Sequence, residues 1–144
     1  MVMNPSKLSR FVTTGARYVL AAVFLFSAIG KLITPSIFVA FVSSIDWLSP
    51  INPILLLLTL TTIEVVVAVL LLLPATHKIA GLVSFGVLLL FSGALILTSV
   101  GQEPKPCGCF GDLIPESSTN LSLLRNVVLL VLSVLVIGSS MAKH

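Results

Sequence analysis

Charge is what this sequence has least of. Only 9% of its 144 residues are Asp, Glu, Lys or Arg, against about 25% in an ordinary soluble domain. A water-soluble fold of this length is excluded on that ground. Disorder is excluded by the opposite excess, because 57% of the residues are hydrophobic and disorder needs low hydrophobicity. The 8 Lys and Arg residues are spread along the chain and form no basic patch, so nucleic acid is not an expected partner. The net charge of +3 fits positively charged loops on the inner side of a membrane. The length allows one domain and leaves no room for a soluble catalytic domain beside membrane segments.

What is abundant is long apolar runs. A spanning helix needs about 20 mostly apolar residues, and four segments qualify, at about residues 11–33, 53–73, 79–100 and 121–141. Runs such as 54–58 and 65–73 do not alternate in polarity, which excludes the strands of a membrane barrel. The expected fold class is all-α, an integral membrane four-helix bundle in a single domain. Pro35, Pro50 and Pro53 are expected to break the first connection, where Trp47 suits a membrane interface. A short turn is expected over residues 74–78, and a long polar loop over 101–120. Lys7, Arg10 and Arg17 ahead of the first apolar run also fit a cleaved signal peptide, with Ser27-Ala28-Ile29-Gly30 near a cleavage site. Retention is the preferred reading, because four helices close a bundle better than three.

Orientation follows from the basic residues. With four spans, the side of the termini carries Lys7, Arg10, Arg17, Lys78 and Lys143, and the other side Lys31, Lys105 and Arg125. The excess favours cytoplasmic termini. The expected location is the cell inner membrane, multi-pass, with the 101–120 loop in the oxidising periplasm.

Cysteine is as scarce as charge. There are two, separated by one residue, in Cys107-Gly108-Cys109-Phe110-Gly111. Gly108 permits the backbone angles that a Cys-x-Cys bridge demands. So small a ring strains a disulfide and makes it easier to reduce. As a staple it would stabilise little, because the loop it closes is tiny. Redox exchange is therefore the expected role of Cys107 and Cys109. The competing readings are an inert loop disulfide, a pair of unreactive thiols, or a Cu(I) site. Zinc normally wants four ligands, and the only histidines are His77 and His144, so no metal is expected.

Three ionisable residues stand within or beside the apolar segments. Charges in a membrane interior are costly and are candidate functional sites. Glu64 lies about 16 Å into the second segment, where it must be protonated or paired. Lys31 and Arg125 lie near the outer ends of the first and fourth. Both can reach inward to Glu64, upward to the cysteine loop, where a cation favours the thiolate, or outward to the lipid headgroups. For Glu64 the alternative is a helix–helix hydrogen bond with no catalytic part. Gly81, Ser84, Gly86, Ser92 and Gly93 are expected to let the third helix pack closely. Phe24, Phe26, Phe38, Phe41, Phe85 and Phe91 are expected to face core or lipid.

These residues together resemble the MauE family of methylamine utilisation, within the broader DoxX-like group of redox-associated four-helix membrane proteins. The resemblance rests on Ser27-Ala28-Ile29-Gly30-Lys31 closing the first helix and on Glu64 within the second. It rests also on Cys107-Gly108-Cys109-Phe110-Gly111 and on Leu124-Arg125-Asn126 opening the fourth helix. It implies a thiol–disulfide redox or maturation factor, acting in processing, export or disulfide formation of the cysteine-rich small subunit of methylamine dehydrogenase or a similar periplasmic client. The implied partner is a periplasmic thioredoxin-like protein. The cofactor is unknown, with a quinone as the natural electron acceptor. Two other readings stand beside it: a non-enzymatic assembly scaffold, and a DoxX-like subunit of a respiratory oxidoreductase.

Overall fold

The structure is a computed structural model that describes residues 5–48, 50–99 and 119–138. Among these residues every regular element is helical: α1 (Pro5–Ile33), α2 (Pro35–Ser43), α3 (Pro53–Leu72), α4 (His77–Ser99) and α5 (Thr119–Gly138), with a 3-10 turn at Asp46–Leu48. The fold class is the all-helical membrane bundle expected from the apolar runs.

Sequence chemistry sets the ends. The last turn of α1 closes where the Thr34 N–H and Oγ1 both donate to the Gly30 carbonyl, at 3.0 and 3.1 Å. Pro35 then occupies the first turn of α2, where its fixed φ suits a helix and its missing N–H is not needed. This is why part of the expected first connection is helical: a proline read as a breaker also serves as a start. Phe38, Phe41 and Val42 are the buried face of α2, at the spacing an amphipathic helix requires. Asn52 caps α3, its Oδ1 accepting from the N–H groups of Ile54 and Leu55 at 3.0 and 3.4 Å. Pro53 follows in the first turn.

The four long helices form a ring, α1 against α3 and α5, and α4 against α5 and α3. The short α2 folds back against α3 and α1. Two apolar clusters fill the interior. One holds Leu20, Phe24, Val67, Leu71, Leu88, Leu129 and Val136; the other holds Phe38, Phe41, Val42, Ile45, Leu57 and Leu95. In three of the long helices a polar or aromatic residue stands between members of the two, Glu64 in α3, Phe91 in α4 and Asn126 in α5, and Lys31 of α1 reaches the same level. The bundle thus has a polar layer between two apolar ones.

The outside is apolar as well. Leu90, Leu97, Leu55, Ile79 and Val131 are all more than half exposed. A soluble monomer rarely tolerates such contiguous apolar surface. Three helices are long and apolar enough to cross a membrane, at Lys7–Ile33, Pro53–Leu72 and His77–Leu97, and Ser122–Gly138 is a shorter apolar helix. Hydroxyls on this surface satisfy themselves: Thr59 and Thr62 donate to the carbonyls of Leu55 and Leu58, each at 2.8 Å, as a hydrocarbon surround requires. The chain is a multi-pass membrane protein in a lipid bilayer.

The expected close packing of the third apolar helix, now α4, is partly corrected. Only Gly81 meets a neighbour: a Cβ placed on it would stand 3.1 Å from Ile137 Cγ1 and 3.2 Å from Val136 Cγ1 of α5. Ser84 is fully buried and donates to the Ala80 carbonyl at 2.7 Å. Gly86 and Gly93 face open space within 4 Å, so they add no close contact.

Candidate functional site

Lys31 is the largest fully buried side chain among the described residues. It sits in the last turn of α1, with three turns of apolar helix behind it. Its Nζ donates to Glu64 Oε1 of α3 at 2.5 Å, and to Ser27 Oγ, one turn back on α1, at 2.8 Å. Ser27 Oγ in turn donates to the same Glu64 oxygen at 3.1 Å. One carboxylate oxygen therefore accepts two hydrogen bonds within a closed triangle. Of the directions open to Lys31 from the sequence, the fold selects the inward one.

Two aromatic rings add to the carboxylate in favouring that direction. Phe38 of α2 and Phe91 of α4 place their rings 5.9 and 5.0 Å from Lys31 Nζ, within the range of cation–π attraction. An ammonium held between two aromatic faces and a carboxylate has its charge compensated, which a membrane interior demands.

Arg125 and Asn126 enter from α5, about 9 Å below its start. Asn126 is buried, and its Nδ2 donates to Ser92 Oγ of α4 at 3.3 Å. Ser27, Glu64, Arg125 and Asn126 share one cavity, walled by Phe24, Phe91 and other apolar residues. The cavity offers about 30 Å³ to the centre of a water-sized sphere, room for about two waters on the usual requirement of ~10–15 Å³ each. Among the described residues no three His, Cys, Asp or Glu side chains stand together as metal ligands would.

The fold therefore brings together Lys31, Glu64, Arg125 and Asn126. Cys107, Gly108, Cys109, Phe110 and Gly111 lie outside the described residues, as does the side chain of Trp47. Sequence reasoning missed Ser27, Phe38, Phe91 and Ser92 as members of this cluster. Ser27 was within reach, since it stands four residues before Lys31 on the same helix face. Phe91 and Phe38 carry no such signal, because aromatic residues are common on every face of these helices.

At the other end of the bundle, Arg17 caps α3. Its Nε and Nη2 donate to the carbonyls of Leu71 and Leu72, at 2.9 and 3.1 Å. A cation suits that helix end, where carbonyls lack partners and the dipole is negative. Thr76 Oγ1 adds a bond to the Leu70 carbonyl at 2.9 Å.

Apolar faces outward and a compensated ion pair inward define the class: a polytopic helical membrane protein built round a buried polar layer. The family model described as methylamine utilisation protein MauE matches residues 9–139, nearly the whole chain, and the chain belongs to the MauE family. No curated protein and no solved structure gives a significant match. Membership points to a membrane protein in methylamine utilisation.

Proposed function

We propose that this chain is a membrane thiol–disulfide redox or maturation factor, with Cys107 and Cys109 as its exchanging pair. The observation that carries the reading is the conjunction of a family match extending through Cys107-Gly108-Cys109-Phe110-Gly111 with a buried Lys31–Glu64 pair, and Arg125 beside it, set below the end of the bundle that residues 100–118 join. That end is where α1 closes, α4 ends at Ser99 and α5 begins at Thr119.

The exchange is balanced between protein dithiols. A client thiolate attacks one sulfur of the oxidised Cys107–Cys109 pair. The intramolecular S–S bond breaks, a mixed disulfide forms, and the second cysteine leaves as a thiolate that takes up a proton. The client's other thiolate then attacks the mixed disulfide. The client leaves oxidised, and Cys107 and Cys109 are left as the dithiol, having gained its two electrons and two protons. A periplasmic thioredoxin-like partner in its disulfide form reoxidises them by the same steps. Run in reverse, the chemistry passes reductant to the client. A cysteine-rich periplasmic protein such as the methylamine dehydrogenase small subunit is the fitting client.

The residues present do not fit a quinone in the buried site. A cavity that takes even benzene measures about 150 Å³, and the one here is about 30 Å³. No step is routed through a quinone.

The proposed orientation has cytoplasmic termini in the inner membrane and a periplasmic cysteine loop. Arg17 and Lys78 then lie at the inner end, as the positive-inside rule prefers.

The test is mixed-disulfide trapping. With a candidate client or thioredoxin-like partner present, Cys107→Ala or Cys109→Ala captures it as a reducible adduct. If neither variant captures a partner and both support methylamine dehydrogenase maturation, the redox reading fails and the scaffold reading takes its place.

A further inference from the structure

The Lys31–Glu64 pair is asymmetric. Oε1 of Glu64 receives both hydrogen bonds, while the buried Oε2 receives none among the described residues. Thr61 Oγ1, one turn away on the same helix, is buried and likewise has no partner there. This is unusual in this bundle. Thr59, Thr62, Ser84, Ser92 and Ser133 each donate to the carbonyl four residues back. Buried polar atoms without protein partners commonly mark ordered water. Glu64 also lines the cavity with room for about two waters, together with Ser27 and Asn126.

We infer that Glu64 is a hydrated protonation site in the membrane interior, with water in the cavity serving its free oxygen and carrying protons to and from it. The chemistry is a proton transfer alone. A hydronium ion reaching the cavity gives its proton to Oε2 and remains as water, while Oε1 keeps the Lys31 ammonium. No electron moves, and the cluster gains one positive charge.

The surroundings suit a site that changes state. Lys31 on α1 favours the carboxylate. Arg125 on α5 lines the same cavity as Glu64. Among the described residues, α4 contributes Leu88 and Phe91 to the cavity and α2 places Phe38 over Lys31, none of them titratable. The Lys31 ammonium on Oε1 draws the proton off, and the apolar walls of the cavity favour its return. This inference does not depend on the cysteines reacting.

The experiment is infrared difference spectroscopy during a pH change, on the full chain in lipid. Glu103→Gln/Glu116→Gln leaves Glu64 as the only glutamate, and ¹³C-glutamate labelling then identifies its signal. The expected result is a protonated carboxyl C=O band that grows on acidification, shifts with the label, and shifts again in D₂O. Leu129→Phe, which fills the cavity wall, is expected to slow or abolish the D₂O shift while the band persists. Absence of a label-sensitive band throughout the pH range in which the protein stays folded overturns the inference. So does a band indifferent to D₂O, which means a dry cavity, or a Leu129→Phe protein that exchanges as fast as the parent. Mixed-disulfide trapping with the parent chain reads the cysteine chemistry separately, so the two failures are distinguishable.

Discussion

Lys31 and Glu64, 33 residues apart on α1 and α3, form an ion pair at 2.5 Å with 0% and 2% side-chain exposure. Such a pair contributes little net stability against an apolar replacement, but breaking it strands a charge at a cost of about 3–5 kcal/mol. Lys31→Met is expected to destabilise the bundle by about that amount, because the buried Glu64 carboxylate then loses its ammonium and keeps only the Ser27 hydroxyl among its hydrogen-bond donors in the described residues. Lys31→Met/Glu64→Gln is expected to recover most of the loss. Thermal unfolding in detergent measures both. A double variant as unstable as the sum of the single ones would show that the partners do not compensate each other.

The Arg17 cap predicts a local effect. Arg17→Gln removes two charge-assisted bonds to the Leu71 and Leu72 carbonyls, in a partly exposed position. The expected loss is about 1–2 kcal/mol. It should appear as faster amide exchange at the end of α3 and the turn after it, with the start of α3 unaffected. Uniform exchange along α3 in the variant would contradict a capping role.

The glycines of α4 are not equivalent. Gly81→Val forces a branched side chain against Val136 and Ile137, whose atoms already lie 3.1–3.2 Å from a Cβ position. Overpacking of this kind costs about 1–3 kcal/mol. Gly86→Ala and Gly93→Ala meet nothing within 4 Å and are expected to stabilise the helix by about 0.5–1 kcal/mol each. Comparative melting of the three variants decides. Equal effects would mean that the α4–α5 approach at Gly81 is looser than these distances imply.

The proposed orientation predicts labelling. A membrane-impermeant maleimide added to intact, reduced cells is expected to modify Cys107 and Cys109. Cys107→Ala/Cys109→Ala, which leaves the chain without cysteine, is the blank. Modification only after lysis would place the cysteine loop inside and reverse the topology.

The four apolar runs were legible because hydropathy over about 20 residues is a local property. α2 was not, because its nine residues are too few for a spanning run and its leading proline has two structural meanings. Glu64 and Lys31 stood out because charge is so rare in this chain. Their pairing was not legible, since it depends on the rotation of α1 against α3. Arg125 was open to three directions, and only the packing of α5 against α1 and α4 brings it to the same cavity as Glu64.

The sequence by itself determined the environment, the helical class and the short roster of residues able to do chemistry. Those depend on composition and on runs along one chain. Tertiary structure alone decided that Lys31 turns inward toward Phe38 and Phe91, that Glu64 Oε2 meets no donor among the described residues, and that Ser27 and Asn126 join them. Each of these depends on which faces of separate helices meet, and distance along the chain carries no record of that.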